Sequence, residues 1–341
     1  MNIYDISAKA GVSIATVSRI INGTANVRPA TREKVMAVID ECGYTPNAFA
    51  QGLNKNTMHT IGIMCADSAD PFMAEAVYYL EKKLRISGYD SILCCTGYNL
   101  DDRRKYLELL MSKHVDSVVM VGSNFVLPLS EQNRYIFDAA QKIPVMLLNG
   151  ALTGDNIYST VCDDDVAMEH AVSSLIESGT STILYLYDST SYSGCKKLSG
   201  YKNAMQRHGL PSDEGLLCYM KTDSDTNQPG TLREVQQALK KKRAQGILFN
   251  AVVASDDRLA IGALKFAHSE GLCVPDEFQI IGYNNSRITE FCEPELTSVD
   301  NKLEALCRHC ADTVINVLSG EEMPQTAVLA GKLIKRGTTS F

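Results

Sequence analysis

Residues 1–22, MNIYDISAKAGVSIATVSRIIN, read as two short helices with a tight turn between them. Ile3, Ile6 and Ala10 recur at helical spacing. Gly11 breaks that pattern and can take the left-handed backbone of a sharp turn. Ser13 fits an N-cap, where its hydroxyl accepts a hydrogen bond from a free amide of the first turn. Val17, Ile20 and Ile21 form the apolar stripe of the second helix. Ile14, Ala15, Ser18, Arg19 and Asn22 face the other way, a mix suited to base edges. Two helices joined by so short a glycine turn make a helix-turn-helix unit. Its second helix is narrow enough for the major groove of DNA. A plain αα-hairpin at the edge of a core has the same pattern, so the stretch that follows decides.

That stretch is a third helix, RPATREKVMAVIDECGY over 28–44, with Pro29 in its first turn and Val35, Val38, Ile39 and Cys42 on one face. The order Ile3-Tyr4-Asp5-Ile6, Ala10-Gly11-Val12-Ser13, Ala15-Thr16-Val17-Ser18-Arg19, Ile21-Asn22-Gly23, Val27, Thr31-Arg32-Glu33-Lys34-Val35 and Gly43-Tyr44-x-Pro46-Asn47-Ala48 resembles the lactose-repressor/galactose-repressor (LacI/GalR) family. The match is dense over more than the first fifty residues, and a weaker one continues to the C-terminus.

The resemblance implies an all-α helix-turn-helix headpiece at 1–44 and a hinge helix at 45–57. Behind them it implies an α/β core of two doubly wound parallel-sheet subdomains, of the periplasmic-binding-protein-like type I. It places Tyr4, Ser13, Ile14, Ala15, Thr16, Ser18, Arg19, Asn22, Asn47, Ala50 and Leu53 on DNA. Leu53 matches the leucine that pries open a central base step from the minor groove, where an apolar wedge offsets lost stacking. With a small apolar pair at Ile14 and Ala15, the family pattern implies a palindromic operator centred on a CG step.

The rest of the chain supports a two-part core in its own right. From residue 59, short apolar runs alternate with amphipathic stretches. The runs are Thr60–Ala66, Ser91–Thr96, Ser117–Gly122, Val145–Asn149, Ile183–Tyr187, Leu216–Met220, Gly246–Asn250 and Gln279–Tyr283. Between them lie helix-like segments such as Met73–Ser87, Asp102–Lys113, Val166–Ser178, Leu198–His208, Thr231–Arg243 and Asp257–Glu270. Buried strands alternating with helices mean parallel sheets with crossover helices. About nine strands are too many for one sheet here, so two subdomains are expected. The expected divisions are 59–158 with 288–318 for the first, and 159–287 with 319–341 for the second. Three crossings then fall near 158, 287 and 319.

Charge is split along the chain. Residues 1–56 hold six Lys/Arg against four Asp/Glu, a net +2, which leaves −9 of the overall −7 to the remainder. A cationic module that meets phosphate, on an acidic body that does not, fits that split. No run of 18 apolar residues points to a membrane span, and Asp5 and Lys9 interrupt any signal-peptide core, so a cytoplasmic protein is expected. The eleven cysteines are scattered, and Cys65, Cys94, Cys95, Cys162 and Cys218 sit in apolar runs, as small hydrophobes do in a reducing compartment. Cys307-x-x-Cys310 is the single metal-like spacing, and it has no second ligand pair.

Catalysis is the rival function. The chain has no Gly-x-Ser-x-Gly elbow, no phosphate-binding loop and no His-Glu-x-x-His. No enzyme activity, metal or cofactor is therefore expected. A ligand in such folds sits beyond the carboxyl ends of the strands. Candidate contacts there are Phe72, Ser123, Asn149, Asp163, Lys197, Ser255, Asp256 and Asn284. Asp163 serves equally well as a helix N-terminal charge. By the resemblance, Lys197 stands where the family usually has an effector-gripping arginine, Ser255-Asp256 where it has Asn-Asp, and Asn284-Asn285 where it has Asp-Asp. Lysine lacks the planar fork of arginine, and Asn284 lacks a carboxylate acceptor. A sugar-type effector is the family expectation, with a nucleoside or sugar phosphate as the alternative; a pure solute-binding protein, the other rival class, requires a signal peptide and no headpiece. The sense expected is repression by a homodimer, since no leucine heptad follows residue 336 to pair dimers.

Overall fold

The computed structural model describes residues 2–21, 27–44, 57–220 and 231–341. Its first unit spans Met1–Thr60 and its second Ile61–Phe341. In the first, Asn2 and Asp5 form a capping box that starts α1, Ile3–Ala10. Gly11 ends it in the left-handed region, φ 62° and ψ 37°. The Ser7 hydroxyl donates to the Val12 carbonyl at 2.6 Å and pins the turn. Ser13 Oγ accepts from the Thr16 amide at 3.2 Å at the head of α2, Ile14–Ile21. Helix α3, Pro29–Cys42, follows. Ile6, Ala10, Val17, Ile20 and Val35 are buried together between the three helices. Each buried Ile or Val contributes about 1.5–3 kcal/mol, so a handful of side chains holds this unit.

The second unit opens with β1 (Thr60–Cys65), α4 (Pro71–Ile86), β2 (Asp90–Cys95), α5 (Leu100–Ser112), β3 (Ser117–Val121), α6 (Arg134–Ala140), β4 (Val145–Leu148) and β5 (Ile157–Cys162). It continues with α7 (Asp164–Glu177), β6 (Ile183–Tyr187), α8 (Tyr192–Arg207), β7 (Leu217–Tyr219), α9 (Leu232–Ala244), β8 (Ala251–Ala254), α10 (Asp257–Ser269) and β9 (Gln279–Tyr283). The last elements are β10 (Thr297–Asp300), α11 (Leu303–Leu318), β11 (Thr326–Leu329) and β12 (Lys332–Ile334). Two six-stranded sheets result, in the orders β11-β5-β4-β3-β1-β2 and β12-β10-β9-β8-β6-β7. Strands β3, β4, β8 and β9 are buried along their whole length, as parallel strands under helices on both faces must be. Alternate residues point to opposite faces: Val119 and Val121 pack under α4 and α11, while Val118 and Met120 pack under α5 and α6.

The chain passes between subdomains later than its sequence suggests. β5 pairs with β4 in the first sheet, so the first passage comes after Cys162 rather than near 158. β10 pairs in parallel with β9, so 288–300 belong to the second subdomain and the second passage precedes α11, not 287. β11 pairs with β5, so 326–329 return to the first sheet, and the third passage lies between β11 and β12 rather than near 319. These strands escape notice because β10 (TSVD) is short and mostly polar and β11 is a half-exposed edge. The strand expected at Gly246–Asn250 is instead β8, at Ala251–Ala254. Phe249, its strongest apolar residue, leaves the ladder to pack against Phe266 and Phe278. Cys307 and Cys310 lie on the buried face of α11, inside the core, where burial pushes the Cys310 thiol up to about 12.

Candidate functional site

Two surfaces bring together residues selected from the sequence. The first is the outer face of α2. Val17 and Ile20 turn into the headpiece core, which leaves Ser13, Ile14, Ala15 and Arg19 exposed, with Thr16 and Ser18 partly so. Ile14 is 40% exposed and Tyr4, on α1, 66%. An exposed aliphatic side chain at the start of this helix can touch a thymine methyl. Asn22, Asn47, Ala50 and Leu53, and with them the expected hinge helix, lie outside the described residues.

The second is a cavity of about 470 Å³ between the carboxyl ends of the two sheets. Phe72, Ser123 and Asn149 line it from the first subdomain, and Lys197, Ser255, Asp256 and Asn284 from the second. Each is delivered by a strand end or by the helix after it. Phe72 opens α4, which Asp70 caps by accepting from the Met73 amide at 2.9 Å. Ser123 follows β3 and hydrogen-bonds across the cleft to Ser191 at 2.8 Å, tying one subdomain to the other. Asn149 follows β4 at φ 66°, and Asn284 follows β9 at φ 95° with its Oδ1 accepting from Asn301 at 3.0 Å. Asparagine tolerates this backbone better than most residues, so both side chains are aimed by a local twist.

Lys197 is only 7% exposed, although it lies on α8. Its Nζ donates to the Ser255 carbonyl at 3.0 Å and sits 3.9 Å from the centre of the Tyr283 ring. Tyr283 is fixed in turn, its hydroxyl donating to Asp164 at 2.6 Å, and Ser193 donates to the other oxygen at 2.5 Å. Asp256 caps α10 through the Leu259 amide at 2.7 Å. Arg258 pairs with Asp188 at 2.5 Å and reaches Asp256 at 3.5 Å. Burial, reinforced by Asp256 and opposed by Arg258, pushes the Asp188 carboxyl up to about 6.

Asp163 is not brought to the cavity. It stands where the chain enters the second subdomain, its amide donating to Leu329 of β11 at 2.9 Å. Burial and the neighbouring Asp165 raise its pKa, and Asp165 pairs with Lys196 at 3.2 Å. None of Asp163, Asp164 and Asp165 lines the cavity, and Asp164 acts behind it by holding Tyr283 and Ser193. Conversely, sequence reasoning missed Tyr98, Arg103, Asp188, Tyr219 and Arg258, all of which line the cavity. Asp188 immediately follows β6, so the strand-end rule would have found it. Arg103 sits in LDDRRKYLELL, where an inward arginine looks like any solvated one.

A helix-turn-helix unit with an exposed reading face, joined to a two-subdomain core with a polar interdomain cavity, defines a ligand-responsive DNA-binding regulator. Residues 2–47 match the model for bacterial regulatory proteins of the lacI family, and 172–339 that for a periplasmic binding protein-like domain. The HTH-type transcriptional regulator of Lachnoclostridium phytofermentans is 52% identical over 341 residues, 100% of both chains. The solved transcriptional regulator CelR–cellobiose complex aligns over 99% of both chains at 26% identity and a TM-score of 0.71. The Lac repressor dimer bound to operator and the anti-inducer ONPF shares the fold over 99% of both chains, at a TM-score of 0.85 and 22% identity. The chain belongs to the LacI family and is a DNA-binding transcriptional regulator with an effector-binding core. Its relatives are regulators rather than enzymes. Among the described residues, no helix is long and apolar enough to cross a membrane.

Proposed function

We propose that the protein is a cytoplasmic repressor that binds a palindromic operator as a homodimer and answers to a sugar-type effector in the core cavity. The observation that carries this reading is the convergence of Phe72, Ser123 and Asn149 from one subdomain and Lys197, Ser255, Asp256 and Asn284 from the other on one cavity. A ligand touching both walls binds one interdomain angle better than another, and can shift that angle only by its difference in affinity. In a dimer on DNA, we infer that a change in that angle alters the spacing available to the two reading helices. Phe72 offers a ring face to a pyranose, and the Asn149 and Asn284 amides with the Lys197 ammonium offer hydroxyl partners. The cellobiose bound by CelR supports a saccharide. Tyr4, Ser13, Ile14, Ala15, Thr16, Ser18, Arg19, Asn22, Asn47, Ala50 and Leu53 are the proposed DNA contacts.

A thermal-shift screen of the full chain against monosaccharides, disaccharides, sugar phosphates and nucleosides tests the effector. A true effector at a hundred times its Kd adds about 2.7 kcal/mol to folding stability by mass action. A saccharide or its derivative is expected to raise the melting temperature. Stabilisation by nucleosides alone would overturn the sugar reading.

A further inference from the structure

The two walls of the cavity differ in how their polar groups are satisfied. On the second-subdomain wall, Lys197 has the Ser255 carbonyl, Arg258 has Asp188 and Asp256, and Asn284 Oδ1 has Asn301. On the first-subdomain wall, Arg103 is 3% exposed and its Nη1 donates to the Asn124 carbonyl at 2.7 Å, while its buried Nε has no hydrogen-bond partner. Both side-chain amide atoms of Asn124 and the Oδ1 of Asn149 are also buried without a partner.

Arg103 has no counter-charge among the described residues. Its guanidinium lies over the Phe125 ring at 5.2 Å, which offsets part of its lost hydration. Burial lowers its pKa, and the groups that oppose this are two tyrosines, Tyr135 and Tyr98, rather than a carboxylate. Folded proteins seldom bury an arginine unless it is paired, because the unpaired ion loses its hydration without return. The place is also built to stay open. Gly122 holds φ 113°, and a Cβ there would meet Asn124 Oδ1 at 2.6 Å, so glycine lets the Asn124 amide lie against the backbone of the cavity wall. The carboxylates of the cavity are engaged elsewhere: Asp70 caps α4, while Asp188 and Asp256 hold Arg258.

We propose that the effector carries an anionic oxygen group, a phosphate or a carboxylate, and that Arg103 with the Asn124 amide receives it. This rests on the reading of the cavity as the effector site and specifies its ligand as an acidic sugar derivative. The planar guanidinium suits a two-oxygen anion, which a neutral hydroxyl does not match. The anion supplies the missing counter-charge on the first wall, and the hydroxyls of the remainder reach Lys197 and Asn284 on the second.

The test uses the full chain and its variants Arg103→Gln and Arg103→Lys, with melting followed by scanning fluorimetry at constant ionic strength. The probes are inorganic phosphate against chloride, and glucose against glucose 6-phosphate and glucuronate. Phosphate is expected to raise the wild-type melting temperature by about 2 °C or more through mass action on the folded state. It should leave Arg103→Gln unmoved and shift Arg103→Lys partially. Without ligand, Arg103→Gln loses the bond to the Asn124 carbonyl and the contact with the Phe125 ring, so each variant's shift is read against its own ligand-free melting temperature. Between the two acidic sugars, the larger shift identifies phosphate or carboxylate as the natural group. An equal response to phosphate and chloride, or an equal phosphate shift in Arg103→Gln, overturns the proposal. If glucose then stabilises the protein while its anionic forms do not, the effector cavity stands and the anion falls. If no probe of either kind acts, both readings fail together. Should Arg103→Gln not fold, the wild-type comparison of phosphate with chloride still decides.

Discussion

Lys197→Ala is expected to abolish the effector response and leave ligand-free operator affinity near that of wild type, because Lys197 is not among the proposed DNA contacts. Lys197 lies in the unit spanning Ile61–Phe341, whereas the reading face of α2 lies in Met1–Thr60. Its ammonium is held by the Ser255 carbonyl, the Tyr283 ring and, through Tyr283, Asp164. These fixed partners aim it into the cavity, so a ligand meets a preset charge. Removing it deletes that charge and leaves the Ser255 carbonyl without its donor, which lowers core stability by about 1–3 kcal/mol. Operator binding with and without ligand, measured by fluorescence anisotropy, separates the two effects. An intact ligand response in Lys197→Ala would show that the effector sits elsewhere.

The second large effect is expected at Leu53. If its side chain wedges a base step, Leu53→Ala weakens binding to the specific operator by roughly ten- to a hundredfold, as expected for losing the wedge that offsets unstacking. Binding to non-specific duplex, which is not kinked, should change little. The comparison is made at one fixed salt concentration, because phosphate contacts alone can move affinity by orders of magnitude. Equal losses on both duplexes would reduce 45–57 to a simple linker.

Legibility followed periodicity. The three helices of the headpiece were readable because Gly11, Ser13 and Pro29 punctuate them, and each occupies the turn, cap or first-turn position its chemistry suits. The central strands were readable because burial on both faces makes them continuous apolar runs. β10 and β11 were not, since Thr297, Ser298 and Asp300 in one and exposed edges in the other break that signal, and the passages between subdomains moved with them. In the cavity, strand-end logic located Ser123, Asn149 and Asn284. It could not show Arg103 or Arg258, because a helical arginine that turns inward has the same sequence surroundings as one that turns out. Of the two roles open to Asp163, the structure places it at the N-terminus of α7 rather than in the cavity, because β5 ends where the chain crosses between subdomains.

On the proposed function, α2 reads a symmetric DNA site on behalf of a dimer. Selection of binding sites by the full chain from a pool of random duplexes tests it most directly, repeated with Ile14→Gln. A roughly palindromic consensus with a central CG step and A/T-rich arms is expected. Ile14→Gln should change the preferred base at one symmetric pair of positions, with a loss of about 1–3 kcal/mol on the original site. A consensus without two-fold symmetry, or one that Ile14→Gln leaves unaltered, would contradict the assignment of α2 as the reading helix.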